Sequence, residues 1–335
     1  MNARPFLSYL LWPLSLLYGA GVHGRVWLYR KGWLKRRRLK ATVISIGNLS
    51  VGGTGKTPLV IWLAERLVAE GKRVAILSRG YRGSEGSSDE VALMKFRLQN
   101  RVAFGVGKNR FAEGKRLEAE QPVDIFLLDD GFQHLELARD LDILLLDASR
   151  PIRGEPLLPA GRLREPLSAM SRANIVVFTR TEVVPGAPEA VEKLSHFPVL
   201  AATTRLLGFR RHGGGIELES AAELGGGPFF AFCGIGNPEA FFRDLEIWGL
   251  GICGRAVFAD HHRYTEQDVL RIKKAGTNDG AKAFITTEKD AQNLSGLTFE
   301  GVPLFISVIE VAVSPEADFL NLLDRLLAAK IGAAA

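Results

Sequence analysis

Short apolar runs separated by longer polar stretches recur along the chain, and they predict a series of buried strands. Runs rich in β-branched residues, leucine or phenylalanine lie at 42–46, 73–79, 123–130, 141–147, 174–181, 229–233 and 283–287. Near-continuous apolar strands of this kind, separated by helical segments, are typical of a parallel sheet covered by helices on both faces. In such sheets ligands bind beyond the carboxyl ends of the strands. We therefore expect the loops after Ile46, Leu77, Leu128 and Leu146 to share one crevice.

Residues 5–22 follow another pattern, an apolar run with four aromatic residues and Pro13 in its middle. A spanning helix needs roughly 20 apolar residues, and a signal peptide carries its charge before the apolar run rather than after it. Residues 1–40 hold nine of the 43 basic side chains and no acidic one, so the rest of the chain has 34 basic and 37 acidic residues. We expect this segment to lie on a membrane surface, with its basic side chains on anionic head groups. The alternatives are a packed core helix followed by a solvated basic run and, less favoured, a nucleic-acid site at 35–38; we expect no nucleic-acid partner.

The length and the cysteine content limit the fold classes further. A chain of 335 residues is long enough for two domains, and its two cysteines, Cys233 and Cys253, argue against a disulfide scaffold or a structural zinc site. The pattern predicts a membrane-associating segment at 1–40, a larger α/β domain at 41–203, a hairpin-like linker at 204–227 and a smaller α/β domain at 228–330. We infer no obligate protein partner.

The first predicted strand leads into a glycine-rich loop, GNLSVGGTGKTP at 47–58, and then into a helical pattern. Glycines let backbone N–H groups converge on phosphate oxygens, and a helix N-terminus adds a favourable dipole. The residues expected to bind nucleotide are Gly52, Gly53, Thr54, Gly55, Lys56 and Thr57, with Lys56 on the β- and γ-phosphates and Thr57 on Mg²⁺. The general spacing asks for glycine six residues before the lysine, where this chain has Ser50. A glycine-rich turn with an incidental lysine is the alternative.

Two predicted strands end in acidic residues, a pattern typical of the second Mg²⁺-holding element of nucleotide-binding folds. One ends at Asp129 and Asp130, the other at Asp147. Either strand end could hold the metal on pattern alone. The pair Asp129 and Asp130 is favoured because two adjacent carboxylates are costly without a cation.

Several motifs occur in an order that resembles a known family. They are GNLSVGGTGKTP (47–58), SRGYRG (78–83), DDGFQH (129–134), LLPAGRLRE (157–165), ADHHRY (259–264) and TTEKDA (286–291). Together they resemble the tetraacyldisaccharide 4′-kinases, the lipid A 4′-kinases of Gram-negative bacteria. The resemblance implies ATP- and Mg²⁺-dependent phosphorylation of the 4′-hydroxyl of a tetraacylated glucosamine disaccharide 1-phosphate, at the cytoplasmic face of the inner membrane. It also implies a P-loop kinase fold with two α/β domains and an N-terminal membrane-associating helix.

The resemblance further implies how the proton of the hydroxyl is accepted. The family's general base is an Asp in a Gly-Asp-Glu-Pro stretch, and the nearest match is Ser88-Asp89-Glu90-Val91. Asp89 is therefore the expected base, with Glu90 as the alternative. The histidine that pairs with it is expected to be His261, or else His262. We expect His261 to come from the second domain and to meet Asp89 when the domains close.

Three further residues match positions that the family uses for the lipid and its head group: Arg110, Arg164 and Glu165. Arginine suits an anionic ligand because its planar guanidinium binds phosphate or carboxylate through two hydrogen bonds. Solvated surface arginines are the alternative. Two other functions remain open on the residues alone: a membrane-associated P-loop ATPase or GTPase switch, and a non-catalytic lipid-binding protein, which would leave the phosphate loop unexplained.

Overall fold

The computed structural model describes residues 4–80, 88–150, 152–184, 186, 198–294 and 296–332. The chain divides into two compact units. Unit 1 holds Met1–Arg82, Leu98–Thr204 and Val311–Ala335, and unit 2 holds Gly83–Arg97 and Arg205–Glu310. These units differ from the predicted domains in two places, since 83–97 belong to unit 2 and 311–335 belong to unit 1.

Unit 1 is built on a parallel sheet in the order β3-β2-β4-β1-β5-β6-β7. Its strands are β1 (Thr42–Asn48), β2 (Val74–Ser78), β3 (Ala103–Val106), β4 (Ile125–Asp129), β5 (Leu141–Asp147), β6 (Ile175–Thr179) and the start of β7 (Val199–Arg211). Every residue of β2, β4, β5 and β6 is buried. The predicted parallel sheet with near-continuous apolar strands is confirmed, and β3 is a strand that the apolar pattern did not indicate.

The helices of unit 1 are α1 (Arg4–Arg30), α2 (Lys56–Ala69), α4 (Arg110–Glu120) and α8 (Glu316–Gly332). Helix α8 packs on α2: the rings of Trp62 and Phe319 meet edge to face at 5.5 Å, and Arg66 Nε lies 2.7 Å from a carboxylate oxygen of Glu316. These contacts explain why the end of the chain belongs to the unit that carries the phosphate loop.

Unit 2 contains a smaller parallel sheet in the order β11-β10-β8-β9. The strands are β8 (Phe229–Cys233), β9 (Ile252–Val257), β10 (Ala283–Thr287) and the first part of β11 (Leu304–Ser314). The helices are α3 (Asp89–Leu98), which runs one residue past the unit, α5 (Pro238–Ile247), α6 (Glu266–Asn278) and α7 (Glu288–Asn293). Strands β8 and β10 of this sheet are the ones that the apolar runs at 229–233 and 283–287 predicted.

Helix α6 begins with a capping box that holds its first turn. Thr265 accepts a hydrogen bond from the backbone N–H of Asp268, and the Asp268 side chain accepts one from the backbone N–H of Thr265. Each bond satisfies a donor that the start of a helix would leave free. The box fixes the segment 259–264 directly before the helix, which carries His261.

The first part of the predicted hairpin-like linker at 204–227, up to Arg211, belongs to strand β7. Strand β7 continues to Arg211, and Phe209 then forms an isolated antiparallel bridge with Glu219. The backbone bonds Phe209 N–Glu219 O and Glu219 N–Phe209 O measure 2.7 and 2.8 Å. The chain therefore reverses direction between these two residues, and the single bridge pair Phe209–Glu219 joins the two segments.

Helix α1 contains Pro13 and leaves much of its apolar surface exposed. The Ser15 hydroxyl donates to the Leu157 carbonyl at 2.9 Å and accepts from the Ala160 N–H at 2.9 Å, and Tyr18 donates to the Arg164 carbonyl at 3.0 Å. The exposed large side chains of the segment are Trp12, Leu14, Leu16, Leu17, Tyr18, Trp27, Trp33 and Leu34. Among the residues that the structure describes, no helix combines the length and the apolar character needed to cross a membrane.

Candidate active site

The phosphate loop runs from the end of β1 to the start of α2. Gly52 and Gly55 have φ angles of 109° and 81°, which side chains with a Cβ rarely adopt. Thr179 of β6 donates its hydroxyl to the carbonyl of Thr54 at 3.1 Å and so fixes the loop from the neighbouring strand. Gly53 lies between these positions with open space where a side chain would be. The loop therefore has the strand–loop–helix form predicted from the sequence.

The serine at the position of the first motif glycine has a structural explanation. Ser50 is buried and forms an antiparallel bridge with Leu163. The flanking bonds Val51 N–Arg162 O and Arg164 N–Leu49 O measure 2.8 and 2.7 Å. Ser50 does not have a positive φ, so its backbone conformation does not require glycine.

Lys56 is the first residue of α2 and its ammonium is held by two side chains. Nζ lies 3.3 Å from Oδ1 of Asn48 and 3.5 Å from Oδ1 of Asp130. The Asn48 amide in turn donates to the Ser50 carbonyl at 2.7 Å, and Gln133 donates to the Asn48 carbonyl at 2.9 Å. Asn48 and Gln133 are supporting residues that the sequence reasoning left without a role, although both lie inside the quoted motifs.

Asp129 and Asp130 have different environments although they are adjacent. Asp129 ends β4, is buried and accepts a hydrogen bond from the Ser78 hydroxyl at 3.0 Å. Asp130 follows with a φ of 48° and accepts from Arg164 Nη1 at 2.8 Å. Burial opposes the charge of Asp130, but Lys56 and Arg164 outweigh it and lower its pKa to about 2.

These contacts bring together the ends of three neighbouring strands. Ser78 ends β2, Asp129 ends β4, and the loop after β1 carries Lys56, which lies against Asp130. The backbone N–H of Gly131 also donates to the Ile46 carbonyl at 3.0 Å. Of the four loops predicted to share one crevice, after Ile46, Leu77, Leu128 and Leu146, these contacts join the strand ends that lead into the first three.

The side chains at this edge fit Mg²⁺. Oδ1 of Asp130 is buried and faces the Lys56 ammonium at 3.5 Å, which is longer than an ordinary hydrogen bond, and Thr57 offers a hydroxyl one residue after Lys56. Mg²⁺ prefers oxygen ligands and usually takes only one or two carboxylates, with waters and substrate phosphates completing its coordination. In the described part of the chain no group of three or more His, Cys, Asp or Glu side chains could hold a metal ion.

Arg110 is buried at the start of α4, where its Nη1 lies 3.5 Å from Nδ1 of His134. Burial, Arg110 and Arg139 lower the pKa of His134 to about 4. The ring is therefore neutral, with Nδ1 accepting from Arg110 and the proton on Nε2. His134 Nε2 and Arg110 Nε are both buried without a hydrogen-bond partner, so this pair has polar groups available to a ligand. Sequence reasoning quoted His134 within its motif but assigned it no role.

Glu165 supports other side chains instead of facing solvent. Both of its carboxylate oxygens accept from Arg172, at 2.7 and 2.9 Å, and the Glu165 side chain is only 5% exposed. Arg172 lies 4.4 Å from the centre of the Phe132 ring and donates to the Phe132 carbonyl at 3.3 Å. Phe132 packs tightly on the phosphate-loop strand, since a Cβ at Gly47 would lie 2.6 Å from the Cβ of Phe132.

In unit 2, Asp89 and His261 form a hydrogen-bonded pair. Nδ1 of His261 lies 3.0 and 2.9 Å from the two carboxylate oxygens of Asp89, whose side chain is 4% exposed. Burial opposes the charge of Asp89, but the bond from His261 and the charge of Lys289 hold its pKa below the usual value. The bond to Asp89 raises the pKa of His261. Each partner therefore favours the charged form of the other.

The pairing lies within one unit, which corrects one expectation. Asp89 is the first residue of α3, and both Asp89 and His261 belong to unit 2. No movement of one unit against the other is needed to bring them together. The expectation that they come from different domains arose because α3 follows β1 and β2 of unit 1 in sequence but belongs to unit 2 up to Arg97.

The structure also distinguishes the candidate histidines. Nε2 of His262 lies 3.1 Å from Oδ2 of Asp268 in the α6 capping box, and its ring stacks on Phe258 at 4.7 Å. His261 instead has a φ of 61°, a left-handed conformation that is uncommon for residues other than glycine and often marks functional sites. Between the two, His261 is the histidine bonded to Asp89.

Lys289 is a further charged residue at the pair. Its Nζ lies 3.0 Å from Asp260 Oδ1, 3.4 Å from His261 Nε2 and 3.9 Å from carboxylate oxygens of both Asp89 and Glu90. Sequence reasoning quoted it in the TTEKDA motif but gave it no role. The sequence did contain a signal for this residue, because the TTEKDA motif of Lys289 occurs together with the ADHHRY motif of Asp260 and His261.

Comparison with known proteins identifies the family. The model of the family described as Tetraacyldisaccharide-1-P 4'-kinase matches residues 7–328. The chain belongs to the tetraacyldisaccharide 4′-kinase family. The resemblance drawn from the six motifs is thereby confirmed, and so is the prediction that the chain is an enzyme of this kinase class.

Relatives and a solved structure agree over nearly the whole length. Tetraacyldisaccharide 4'-kinases from Geobacter sulfurreducens and Geobacter metallireducens are 39% and 38% identical, and the alignments cover 93% and 95% of this chain and 92% and 98% of the relatives. The crystal structure of an Aquifex aeolicus member in complex with ATP has 31% sequence identity and a TM-score of 0.76, and it covers 96% of this chain and 99% of that one. The tetraacyldisaccharide 4′-kinase fold, with its mostly parallel sheet and N-terminal helix, is therefore the fold of this chain.

Proposed function

We propose that the chain transfers the γ-phosphoryl group of ATP to the 4′-hydroxyl of a tetraacyldisaccharide 1-phosphate, a step of lipid A synthesis. The observation that carries the proposal is the Asp89–His261 pair. A phosphate loop alone would serve an ATPase or GTPase switch equally well. An alcohol acceptor has a proton that must be removed, and a carboxylate–imidazole pair is suited to accept it.

Unit 1 would bind the nucleotide. The glycine-rich backbone at 52–55 and the N-terminus of α2 offer N–H groups to the phosphates, and Lys56 neutralises the charge that develops on the transferred group. Thr57 and Asp130 would hold Mg²⁺, which stabilises the negative charge on the phosphate oxygens when it is bound. Arg164 and Lys56 keep Asp130 ionised, as a metal ligand must be. Asp129 would support this edge through its bond to Ser78.

The Asp89–His261 pair would accept the proton. Asp89 would take the proton of the 4′-hydroxyl as the base, and His261, bonded to it through Nδ1, would orient the carboxylate and tune its proton affinity. The hydroxyl oxygen then forms a bond to the γ-phosphorus, the bond from that phosphorus to the β,γ-bridging oxygen breaks, and ADP leaves. The two residues titrate as a coupled pair, with Asp89 buried and His261 as the more exposed member.

The lipid head group would meet the arginines of unit 1. Arg110 and its partner His134 have buried N–H groups without a partner, which suit the oxygen atoms of a phosphorylated sugar. Arg164 is bonded to Asp130 and Gln133, so its contact with substrate would be linked to the metal ligand. Glu165 would act indirectly, because its two oxygens are occupied by Arg172.

Residues 1–40 would hold the enzyme on the cytoplasmic face of the bacterial inner membrane. Leu16 and Leu17 of α1 are 56% and 70% exposed, and the basic residues that follow match an anionic lipid surface. Replacing both leucines with serine is expected to weaken binding to vesicles that contain an anionic lipid. Unchanged binding in a sedimentation assay would contradict this role for α1.

The proposal is tested by transfer of labelled γ-phosphate from ATP to a tetraacyldisaccharide 1-phosphate in detergent micelles. Labelled lipid is expected with the unchanged chain and not with Lys56→Ala. Lys274→Ala is the matched control because Lys274 is exposed on α6. Nucleotide hydrolysis without labelled lipid would contradict the kinase and favour the switch.

A further inference from the structure

Asn48 is a buried polar residue at the end of β1, directly before the glycine-rich part of the phosphate loop. Its side chain has no exposed surface, and its Nδ2 donates to the Ser50 carbonyl at 2.7 Å. A carbonyl oxygen only accepts hydrogen bonds and an ammonium only donates them. Nδ2 therefore faces Ser50, and Oδ1 faces the Lys56 ammonium at 3.3 Å.

The groups around Asn48 hold it in place. Its backbone is paired with Leu145 of β5 in the sheet, and its carbonyl accepts from Nε2 of Gln133 at 2.9 Å. The partner of its side chain is fixed as well, because Ser50 forms the bridge with Leu163. The amide of Asn48 is thus a rigid acceptor whose position the surrounding backbone sets.

Lys56 lies between this neutral acceptor and a charged one. Its Nζ is 3.3 Å from Oδ1 of Asn48 and 3.5 Å from Oδ1 of Asp130, and its side chain is 13% exposed. The other carboxylate oxygen of Asp130 accepts from Arg164 at 2.8 Å. A divalent cation that binds Asp130 at Oδ1 therefore competes with the Lys56 ammonium for the same oxygen.

We propose that Asn48 is a positioning residue that holds the Lys56 ammonium beside Asp130 and so keeps Oδ1 of Asp130 open to a divalent cation. Because the amide is neutral, Lys56 also keeps its charge for the nucleotide phosphates. This role rests on the proposed function, in which Lys56 binds phosphate and Asp130 binds the metal. It assigns a function to an asparagine that lies in the phosphate-loop motif but touches neither group itself.

The charges show what happens when the amide oxygen is removed. Charge-assisted hydrogen bonds are the stronger ones, so without Oδ1 of Asn48 the ammonium moves onto the Asp130 carboxylate. Arg164 holds the other oxygen of that carboxylate, which prevents Asp130 from turning away. The ammonium and a divalent cation would then repel each other at one oxygen.

Binding of labelled ADP to the full-length protein tests this role without turnover. Equilibrium dialysis with Mn²⁺ and with EDTA gives two dissociation constants for ADP, and their ratio is the gain in affinity that the metal brings. In Asn48→Leu this gain should fall by roughly five- to tenfold, the size expected when two unit charges compete at contact distance in water. An unchanged gain would overturn the proposal.

Two variants separate the acceptor from the rest of the asparagine. Asn48→Asp keeps an oxygen toward Lys56 but loses the donor to Ser50, so the gain from Mn²⁺ should not fall. A fall as large as in Asn48→Leu would mean that the bond to Ser50 matters and would overturn the proposal. Asn174→Leu is the matched control, because Asn174 lies directly before β6 and its side chain accepts from the Asp142 N–H at 2.8 Å. It should leave the gain unchanged.

A double variant distinguishes competition by Lys56 from general damage to the loop. In a Lys56→Met background no ammonium can move onto Asp130, so adding Asn48→Leu should not lower the gain from Mn²⁺ further. Additive losses would overturn the proposal, since independent sites add and coupled ones do not.

The lipid phosphorylation assay is scored separately from these binding measurements. A fall of the gain in Asn48→Leu, in a chain that makes no labelled lipid, would support the role of Asn48 and contradict the kinase reaction. Labelled lipid from a chain in which Mn²⁺ brings no gain, or the same gain in Asn48→Leu, would overturn the role of Asn48 alone and leave the kinase reaction in place.

Discussion

The phosphate loop of unit 1 and the Asp89–His261 pair of unit 2 differ in how they are built. The loop is one short stretch, 47–57, whose shape comes from glycine backbone and a helix N-terminus. The pair and the charged residues around it come from three distant parts of the chain, at 89–90, 260–261 and 289. A contiguous motif can be recognised in a sequence, whereas an assembled one depends on the fold.

The two regions also use charge in opposite ways. In unit 1 two cations face one carboxylate, and they lower the pKa of Asp130 to about 2. In unit 2 three carboxylates face one lysine and one histidine, and the bond to Asp89 raises the pKa of His261. The first arrangement keeps the Asp130 carboxylate ionised. The second favours the protonated form of His261.

Lys56→Ala is expected to have the largest effect on activity. It removes the cation at the phosphate loop, and kcat/KM for phosphoryl transfer should fall by roughly 10³-fold. Steady-state assays with Lys274→Ala as control measure it. A loss smaller than that of His261→Ala would reverse the order of importance proposed for the two regions.

His261→Ala should lower kcat by roughly 10²–10³-fold, with little change in ATP affinity, because it removes the partner of the base and leaves the loop intact. His262→Ala is the matched control and should lose much less, since His262 is bonded to Asp268. Kinetics and ATP binding are measured for both variants. Normal turnover in both would refute the role of the pair.

Arg172→Met tests how much the ion pair between Arg172 and Glu165, which lies against Phe132, contributes to stability. It leaves the buried carboxylate of Glu165 without its partner, so the free energy of unfolding should fall by about 3 kcal/mol. Denaturant unfolding measures this, with the exposed Arg153→Met as control. Adding Glu165→Leu should recover part of the loss, and no recovery would mean that Arg172 stabilises by another contact.

The smallest of the expected effects is a change in the proton affinity of His261 in Asp89→Asn, measured by nitrogen NMR of the histidine-labelled protein over a pH series. The Asp89 charge stabilises protonated His261, so its removal should lower the pKa of the ring by about one unit. A shift to higher pH, or none, would mean that Asp89 does not set the proton affinity of His261.

The strands of both sheets could be predicted because each is a short apolar run, and β1, β4 and β5 begin within one residue or two of the predicted positions. Strand β3 could not, because Ala103–Val106 is short and only one of its four residues is buried. Ser50 stands where the general motif has glycine, and only the structure shows its backbone bridge to Leu163, which explains the difference. The loop residues are contiguous, so their role followed from spacing.

The sequence by itself determined the parallel α/β architecture, the phosphate loop and the family, because burial of apolar strands and phosphate binding by backbone depend on local residue patterns. Only the tertiary structure decided that Asp89 packs in the unit of His261, that His261 rather than His262 is bonded to it, and that Glu165 holds Arg172. It also placed Lys289 at the pair. The physical reason is that electrostatic partners act through distance in space, and side chains such as Asp89 and His261, which are 172 residues apart, meet only when the chain is folded.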